Sequence, residues 1–442
     1  MKPADCPVVT NPDEEVLRPS VSLAMEGGSV STRRSLFFVY GGYFFRYIHL
    51  LILIPFYGRI LGATEYGKVL AAMSLFQVVW VIVEYGFPIV GARDLASTRD
   101  KSVIAREFGR QVKARMLMSM LGMVTGLGGT AFSPILRTEP AYGLIATAMG
   151  IVSAFNLAWY FQGTLRFRTS VMLEVAGFVI NLVLILSLVR DAGDGLLVLA
   201  SLLVSGVACT AAAYVIALRQ IDLRSIRFSG AASLLRASGP LFAYRGLSMI
   251  VASGSTYLLS LFASAAEVGY YGAAERLANV ALSLMQPANQ VLIGTVTWRL
   301  GSPETEAAAY TLMRKGFVVM GSFGIAALLG ALILSPYLIP VILGPSFNNS
   351  IPVMQVLGFT FPFAALGQVV CMYVLIPLRE DKLVTKITAV GAVCSLLAML
   401  VFVRDFGGLG VASARVVHGV VVTILLATVL SRRALYRRIF QS

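Results

Sequence analysis

The chain has 442 residues, 57% of them hydrophobic and only 13% charged, with a formal net charge of +14 and a mean hydropathy of +0.80. A soluble domain carries about 25% charged residues, so this composition cannot clothe a water-facing surface and excludes a soluble globular protein. The basic surplus lies in short pieces between apolar runs, which excludes the continuous basic face of a nucleic-acid binder.

In lipid every backbone N–H and C=O needs an internal partner, which leaves helix bundles or closed barrels. The apolar runs here are continuous over about 20 residues, enough for a helix to cross, whereas barrel strands would alternate over about 10. The expected fold class is therefore all-α, a polytopic membrane protein. Residues 1–34 hold Pro3, Pro7, Pro12 and Pro19 and end in Arg33-Arg34. They read as a disordered cytoplasmic tail with no signal peptide. Twelve spans follow, near 36–60, 67–91, 116–136, 142–162, 171–189, 195–218, 239–262, 270–297, 316–336, 351–377, 387–403 and 409–431. Tight links such as Arg137-Thr138-Glu139-Pro140 and Arg190-Asp191-Ala192-Gly193-Asp194 make neighbouring spans antiparallel. Residues 219–238 read as a cytoplasmic linker, and 432–442 as a basic cytoplasmic C-terminus.

Basic residues give an independent test of this count. With the N-terminus inside, the cytoplasmic segments hold 27 of the 36 Lys and Arg, and the opposite loops hold five: Arg59, Lys68, Arg137, Arg190 and Arg404. That alternation follows the positive-inside rule and puts both termini inside. A faint repeat also separates two halves: Glu65-Tyr66-Gly67 follows the first span and Glu267-Val268-Gly269-Tyr270-Tyr271 follows the seventh. An arginine, Arg46 or Arg245, stands about 20 residues upstream of each, a pattern that parallel transporter repeats produce.

Enzyme signatures are lacking. The chain has no GxxxxGK[ST], and its two histidines, His49 and His418, are too few for an HExxH zinc site. Gly126-Leu127-Gly128-Gly129 lies inside a span, where glycine permits close helix packing. Cys6, Cys209, Cys371 and Cys394 form no CxxC pair and read as packing residues. Neither enzyme activity, a cofactor nor a metal is expected.

The ionisable residues inside spans are more informative: Arg46, Arg245, Arg276 and Arg415, with Glu84, Glu174 and Glu275. A central arginine costs about 2.5–3.5 kcal/mol on insertion scales, so each needs a partner or a wet interior. Arg46 is deepest. The other three lie near span ends, where snorkelling or an ion pair (Glu275 beside Arg276) is the alternative. His49 and His418 each follow an arginine by three residues and share its helix face. Together these stripes would make a basic wall suited to phosphate or pyrophosphate, which guanidinium forks grip in bidentate fashion. Glu84 and Glu174 are candidates for ion coupling or charge balance, and Trp159-Tyr160 for an interfacial anchor.

Four motifs carry a family resemblance. Leu61-Gly62-Ala63-Thr64-Glu65-Tyr66-Gly67 resembles the short loop after the first helix of bacterial polysaccharide (O-antigen type) flippases. Trp159-Tyr160-Phe161-Gln162-Gly163 is similar to that family's W-x-F-Q-G close of the fourth helix. Glu267-Val268-Gly269-Tyr270-Tyr271-Gly272-Ala273-Ala274 is similar to its entry to the eighth, and Leu343-Gly344-Pro345-Ser346-Phe347 to its turn after the ninth. The resemblance covers residues 35–435 and implies the multidrug/oligosaccharidyl-lipid/polysaccharide exporter superfamily. It implies twelve helices in two six-helix lobes, 35–218 and 239–431, around a central cavity. It also implies a polyprenyl-pyrophosphate-linked oligosaccharide as cargo, moved from the cytoplasmic to the outer leaflet of the inner membrane by alternating access. Arg46, Arg245, Arg415, Arg276, His49 and His418 are the expected substrate contacts, chosen by depth and helix face rather than by a family motif. Membrane lipids and other polysaccharide-assembly proteins are the further expected partners. The alternatives are a multidrug-extrusion type cation antiporter and a non-transporting scaffold for polysaccharide assembly.

Overall fold

The computed structural model describes residues 29–242, 247–301 and 303–432, with side chains for all of these except 29–51, 241, 247–253, 286–291, 303 and 381. Among the described residues there are helices and no strands. Helix α1 (Ser29–Glu84) carries the first two spans and is folded at Gly62. It begins six residues inside the stretch expected as tail. Gly62 has φ 70° and ψ 178°, a combination essentially reserved for glycine. Nine residues of straight helix would set Tyr57 and Tyr66 about 13.5 Å apart along the axis, yet their ring centroids are 5.7 Å apart. The chain turns back on itself there.

The second arm of α1 stops at Glu84, and Tyr85-Gly86, both at positive φ, detach the short helix α2 (Phe87–Ala96). The third span is α3 (Lys101–Phe132), whose first turn is capped by Asp100 accepting the Ser102 N–H at 2.8 Å. That bond holds the Asp100 carboxyl below its usual range. A short turn, α4 (Pro134–Thr138), leads into α5 (Pro140–Ala154) and α6 (Ala158–Gly163), which make the fourth span. Helices α7 (Phe167–Leu188) and α8 (Gly195–Leu218) are the fifth and sixth. In the link between them, the Arg190 and Asp191 N–H groups donate to Asp194 and hold its carboxyl below the usual range.

The second half repeats the plan. Helices α9 (Ala231–Leu241) and α10 (Leu247–Ser260) cover the seventh span, and α11 (Ala265–Ser283) and α12 (Gln286–Leu300) the eighth. Helix α13 (Pro303–Leu343) is the ninth. The tenth is assembled from α14 (Ser350–Gly358), α15 (Thr360–Val369) and a π-helical turn, Val370–Leu375. The last two are arms of α16 (Asp381–Arg432), folded at Gly407 with φ 50°. Among the described residues seven helices are long and apolar enough to cross a membrane. One of these, Lys382–Arg432, makes two passes by folding at Gly407. Other passes are built from shorter or less apolar pieces.

Burial sorts these helices between core and lipid. The most apolar window of α7 has mean hydropathy 2.4 but is only 11% buried, and that of Glu304–Leu343 only 17%. Surface this apolar and this bare needs a hydrocarbon solvent. The corresponding window of α1 is 61% buried, and α1 is the element along which the halves meet, touching α10, α11 and α13. Helices α3, α5, α7 and α8 surround it on one side, while α10 to α16 pack among themselves on the other. These are the two lobes.

The repeated Glu-x-Gly segments explain how the lobes close on one another. A Cβ on Gly67 would strike the Ala265 carbonyl, and a Cβ on Gly269 would strike that of Ala63. Each tip thus lies against the backbone of the other. The acidic residue two positions earlier serves its own lobe. Tyr142 donates its hydroxyl to Glu65, and a Cβ on Gly195, the first residue of α8, would come 2.6 Å from that carboxylate. Glu267 accepts the N–H of Gly408 at 2.9 Å, where the last span begins. Both carboxylates therefore sit at the N-terminus of their lobe's sixth span, where the helix dipole favours an anion.

Candidate functional site

The intramembrane charges come from helices that meet at the lobe boundary. Glu275 and Arg276 are neighbours on α11 and so point to different sides of it. Glu275 accepts from Thr256 at 2.8 Å, from the Tyr271 hydroxyl at 3.4 Å, and from Arg415 on α16 in an ion pair. A second nitrogen of Arg415 reaches Asn279 at 3.3 Å. Ser255 and Arg415 both hydrogen-bond Tyr271, whose side chain is fully buried. This network lies wholly within the second lobe and satisfies its charges internally.

Arg276 points the other way, across the boundary. Its Nη1 donates to the Tyr66 hydroxyl at 3.2 Å, its Nη2 lies 2.8 Å from the Met73 sulfur, and its guanidinium sits 5.6 Å from the Tyr66 ring centroid. All of these partners are neutral and all belong to α1. Among the described residues no carboxylate lies within 4 Å of Arg276. Half-buried, with its charge uncancelled, it is placed to take an anion between the lobes.

The ion pair weighed as the alternative role for Arg276 is instead formed by Glu275 and Arg415, because adjacent helical residues diverge by about 100°. The stripe expected from Arg415 and His418 is divided. Arg415 turns to α11, while His418 lies over Gly391 on the preceding arm of α16, hydrogen-bonded to the backbone there. Arg46 and His49 are on α1 but their side chains lie outside the described residues, as does all of Arg245. Glu174 is half-buried on α7.

Glu84 closes the second arm of α1 and is within electrostatic reach of Arg115, a residue that sequence reasoning counts among the cytoplasmic loop cations. Arg115 is 1% exposed. It donates to the Ala154 carbonyl and to the Gln111 side chain, both at 2.7 Å, and its guanidinium lies between the rings of Phe87 and Trp159. The interfacial role expected for Trp159-Tyr160 is overturned: both are 2% exposed, and Trp159 packs on Arg115 instead of facing headgroups. The signal that could have exposed this was spacing. Arg115 follows Gln111 by four residues and Glu107 by eight, one polar stripe on α3. The stripe fastens α2: Gln111 donates to the Phe87 carbonyl at 3.2 Å and Arg110 to Asp94 at 2.9 Å.

The fold has solved counterparts. A lipid II flippase, MurJ, in an inward closed conformation superposes with a TM-score of 0.68 at 12% identity, covering 91% of this chain and 90% of that one. An inward-facing multidrug resistance transporter of the MATE family superposes with a TM-score of 0.65 at 15% identity, covering 89% and 99%. At such identities the likeness is one of architecture, that of a two-lobed polytopic helical membrane protein. The chain belongs to the polysaccharide biosynthesis protein family, whose sequence model matches residues 33–296. It is also 22% identical over 406 residues, 89% of this chain and 96% of the relative, to a Shigella dysenteriae protein named "Putative O-antigen transporter".

Proposed function

We propose that this protein moves a lipid-linked oligosaccharide across the bacterial inner membrane, with the anionic phosphate head taken by Arg276 between the lobes. The single observation that carries this reading is the Arg276 guanidinium reaching from α11 to α1 with no carboxylate in reach among the described residues. Family membership and the likeness to a relative named as an O-antigen transporter supply the class of cargo. The work is transport and not covalent catalysis.

The cargo head is a polyprenyl pyrophosphate, and it enters from the cytoplasmic leaflet. The tips at Gly67 and Gly269 lie on the side of the sparsely charged loops and are in contact, so the lobes are shut outward. Rocking them apart at the tips would release the sugar to the outer leaflet while the distal part of the prenyl tail stays in lipid. Both termini stay in the cytoplasm. Arg46 and Arg245, whose side chains lie outside the described residues, are the further head-group contacts expected from sequence, and Arg415 joins them when its pair with Glu275 opens. A cation antiporter is less well supported, because Glu275 on α11 is already neutralised by Arg415.

Replacement in cells tests the assignment. Arg276→Gln is expected to cut surface polysaccharide at least about tenfold, the loss of one hydrogen bond to a charged group, with protein still in the membrane and lipid-linked intermediate accumulating. Arg46→Ala should do the same. Normal polysaccharide in both variants would remove the anion-carrying role.

A further inference from the structure

A slot of about 120 Å³ opens in the first lobe between α1, α5 and α8. Its walls include Met73, Phe76, Met149, Val152 and Leu203, and Ser153 is its polar lining side chain. Met73 is shared: it lines the slot, and its sulfur touches the Arg276 guanidinium arriving from the other lobe. The slot and this cation are therefore adjacent, joined by one flexible side chain. Gly206 also lines the slot, and a Cβ there would meet nothing within 4 Å.

We propose that this slot is a binding subsite for the phosphate-proximal five-carbon branched unit of an isoprenoid chain, with the phosphate itself at Arg276. The assignment rests on the lipid-linked cargo proposed above and adds where its chain is held. Size and chemistry set the occupant. An apolar cavity of about 150 Å³ stays dry and accepts a benzene-sized group, so 120 Å³ suits about five carbons. A hexose would bury several hydroxyls against a lining that offers Ser153 as its polar side chain. Two methionines give the walls the adaptability that a branched group needs. An apolar slot beside a guanidinium that has no carboxylate in reach among the described residues thus reads the junction between chain and head, the one part that all lipid carriers of this type share whatever sugar they bear.

The test uses the full-length purified protein and three probes: farnesyl diphosphate, inorganic pyrophosphate and farnesol. Gly206→Phe fills the slot from α8, and Ser153→Leu fills it from α5 should the first variant fold poorly. Either is expected to weaken farnesyl diphosphate at least about tenfold, the equivalent of about two buried CH₂ groups, and to weaken farnesol similarly. Inorganic pyrophosphate should bind as in the unaltered protein. Arg276→Gln should weaken both diphosphates and spare farnesol. Farnesyl diphosphate and farnesol binding both unchanged in the slot-filling variants would overturn the proposal. If Arg276→Gln leaves both diphosphates unaffected, the head assignment falls separately. Farnesol then decides the slot alone: weaker binding to Gly206→Phe upholds it, equal binding overturns it.

Discussion

An arginine inside a membrane needs either a partner or access to water, and the two described on α11 and α16 meet that need differently. Arg415 has Glu275 and Asn279, so its charge is spent inside one lobe. Among the described residues Arg276 has a hydroxyl, a ring and a sulfur, contacts that hold a cation in place without cancelling it. The difference predicts opposite consequences of mutation. Glu275→Ala strands Arg415 in a half-buried site and should cost about 3 kcal/mol, the lower range for breaking a buried pair, while Glu275→Ala with Arg415→Met should recover most of it. Thermal unfolding of the detergent-solubilised variants checks this, and additive losses would show that the pair contributes nothing. Arg276→Met should leave stability nearly unchanged and lose transport. At this scale the sequence marked Arg276 and Arg415 by depth but could not pair them, because helix rotation, rather than proximity along the chain, decides which guanidinium Glu275 meets.

At the scale of elements, the two Glu-x-Gly tips act as a reciprocal clasp. Gly67 and Gly269 let the tips approach backbone to backbone, Glu267 ties its tip to the last span through the Gly408 N–H, and Glu65 accepts from Tyr142 on α5 beside the start of α8. Gly269→Leu should wedge the clasp open. Overpacking of this kind costs about 1–3 kcal/mol, here charged to the outward-closed state, so cysteines placed on the cytoplasmic side of α11 should label more slowly. Unchanged labelling would mean the tips do not gate. The repeat was legible in Glu65-Tyr66-Gly67 and Glu267-Val268-Gly269 because a tight reversal leaves a local signature. The Arg115 cluster was not, since α3 runs as helix from Lys101 through the loop and into the span, and hydropathy alone assigns its polar first turns to water. Trp159 misled for a related reason: an aromatic at a span end suits an interface equally well when a buried guanidinium waits behind it.

For the whole molecule, composition pointed to the solvent, and the alternation of basic residues gave the expected parity of the spans. The breaks inside the spans follow from particular residues such as Gly62, Gly86 and Gly407, whose effect depends on what packs beside them. Both termini are expected inside and both tips outside. An impermeant thiol reagent should therefore label a cysteine at position 64 in intact cells and one at position 228 only after permeabilisation, and the reverse pattern would invert the proposed direction of transport. The most direct trial of the anion-carrying site is translocation itself. In vesicles holding the purified protein and a fluorescent polyprenyl-pyrophosphate-linked oligosaccharide, arrival of the sugar in the opposite leaflet should be fast with the unaltered protein and at least about tenfold slower with Arg276→Gln, the loss of one hydrogen bond to a charged group. Equal rates for the two proteins would contradict the claim that Arg276 carries the head.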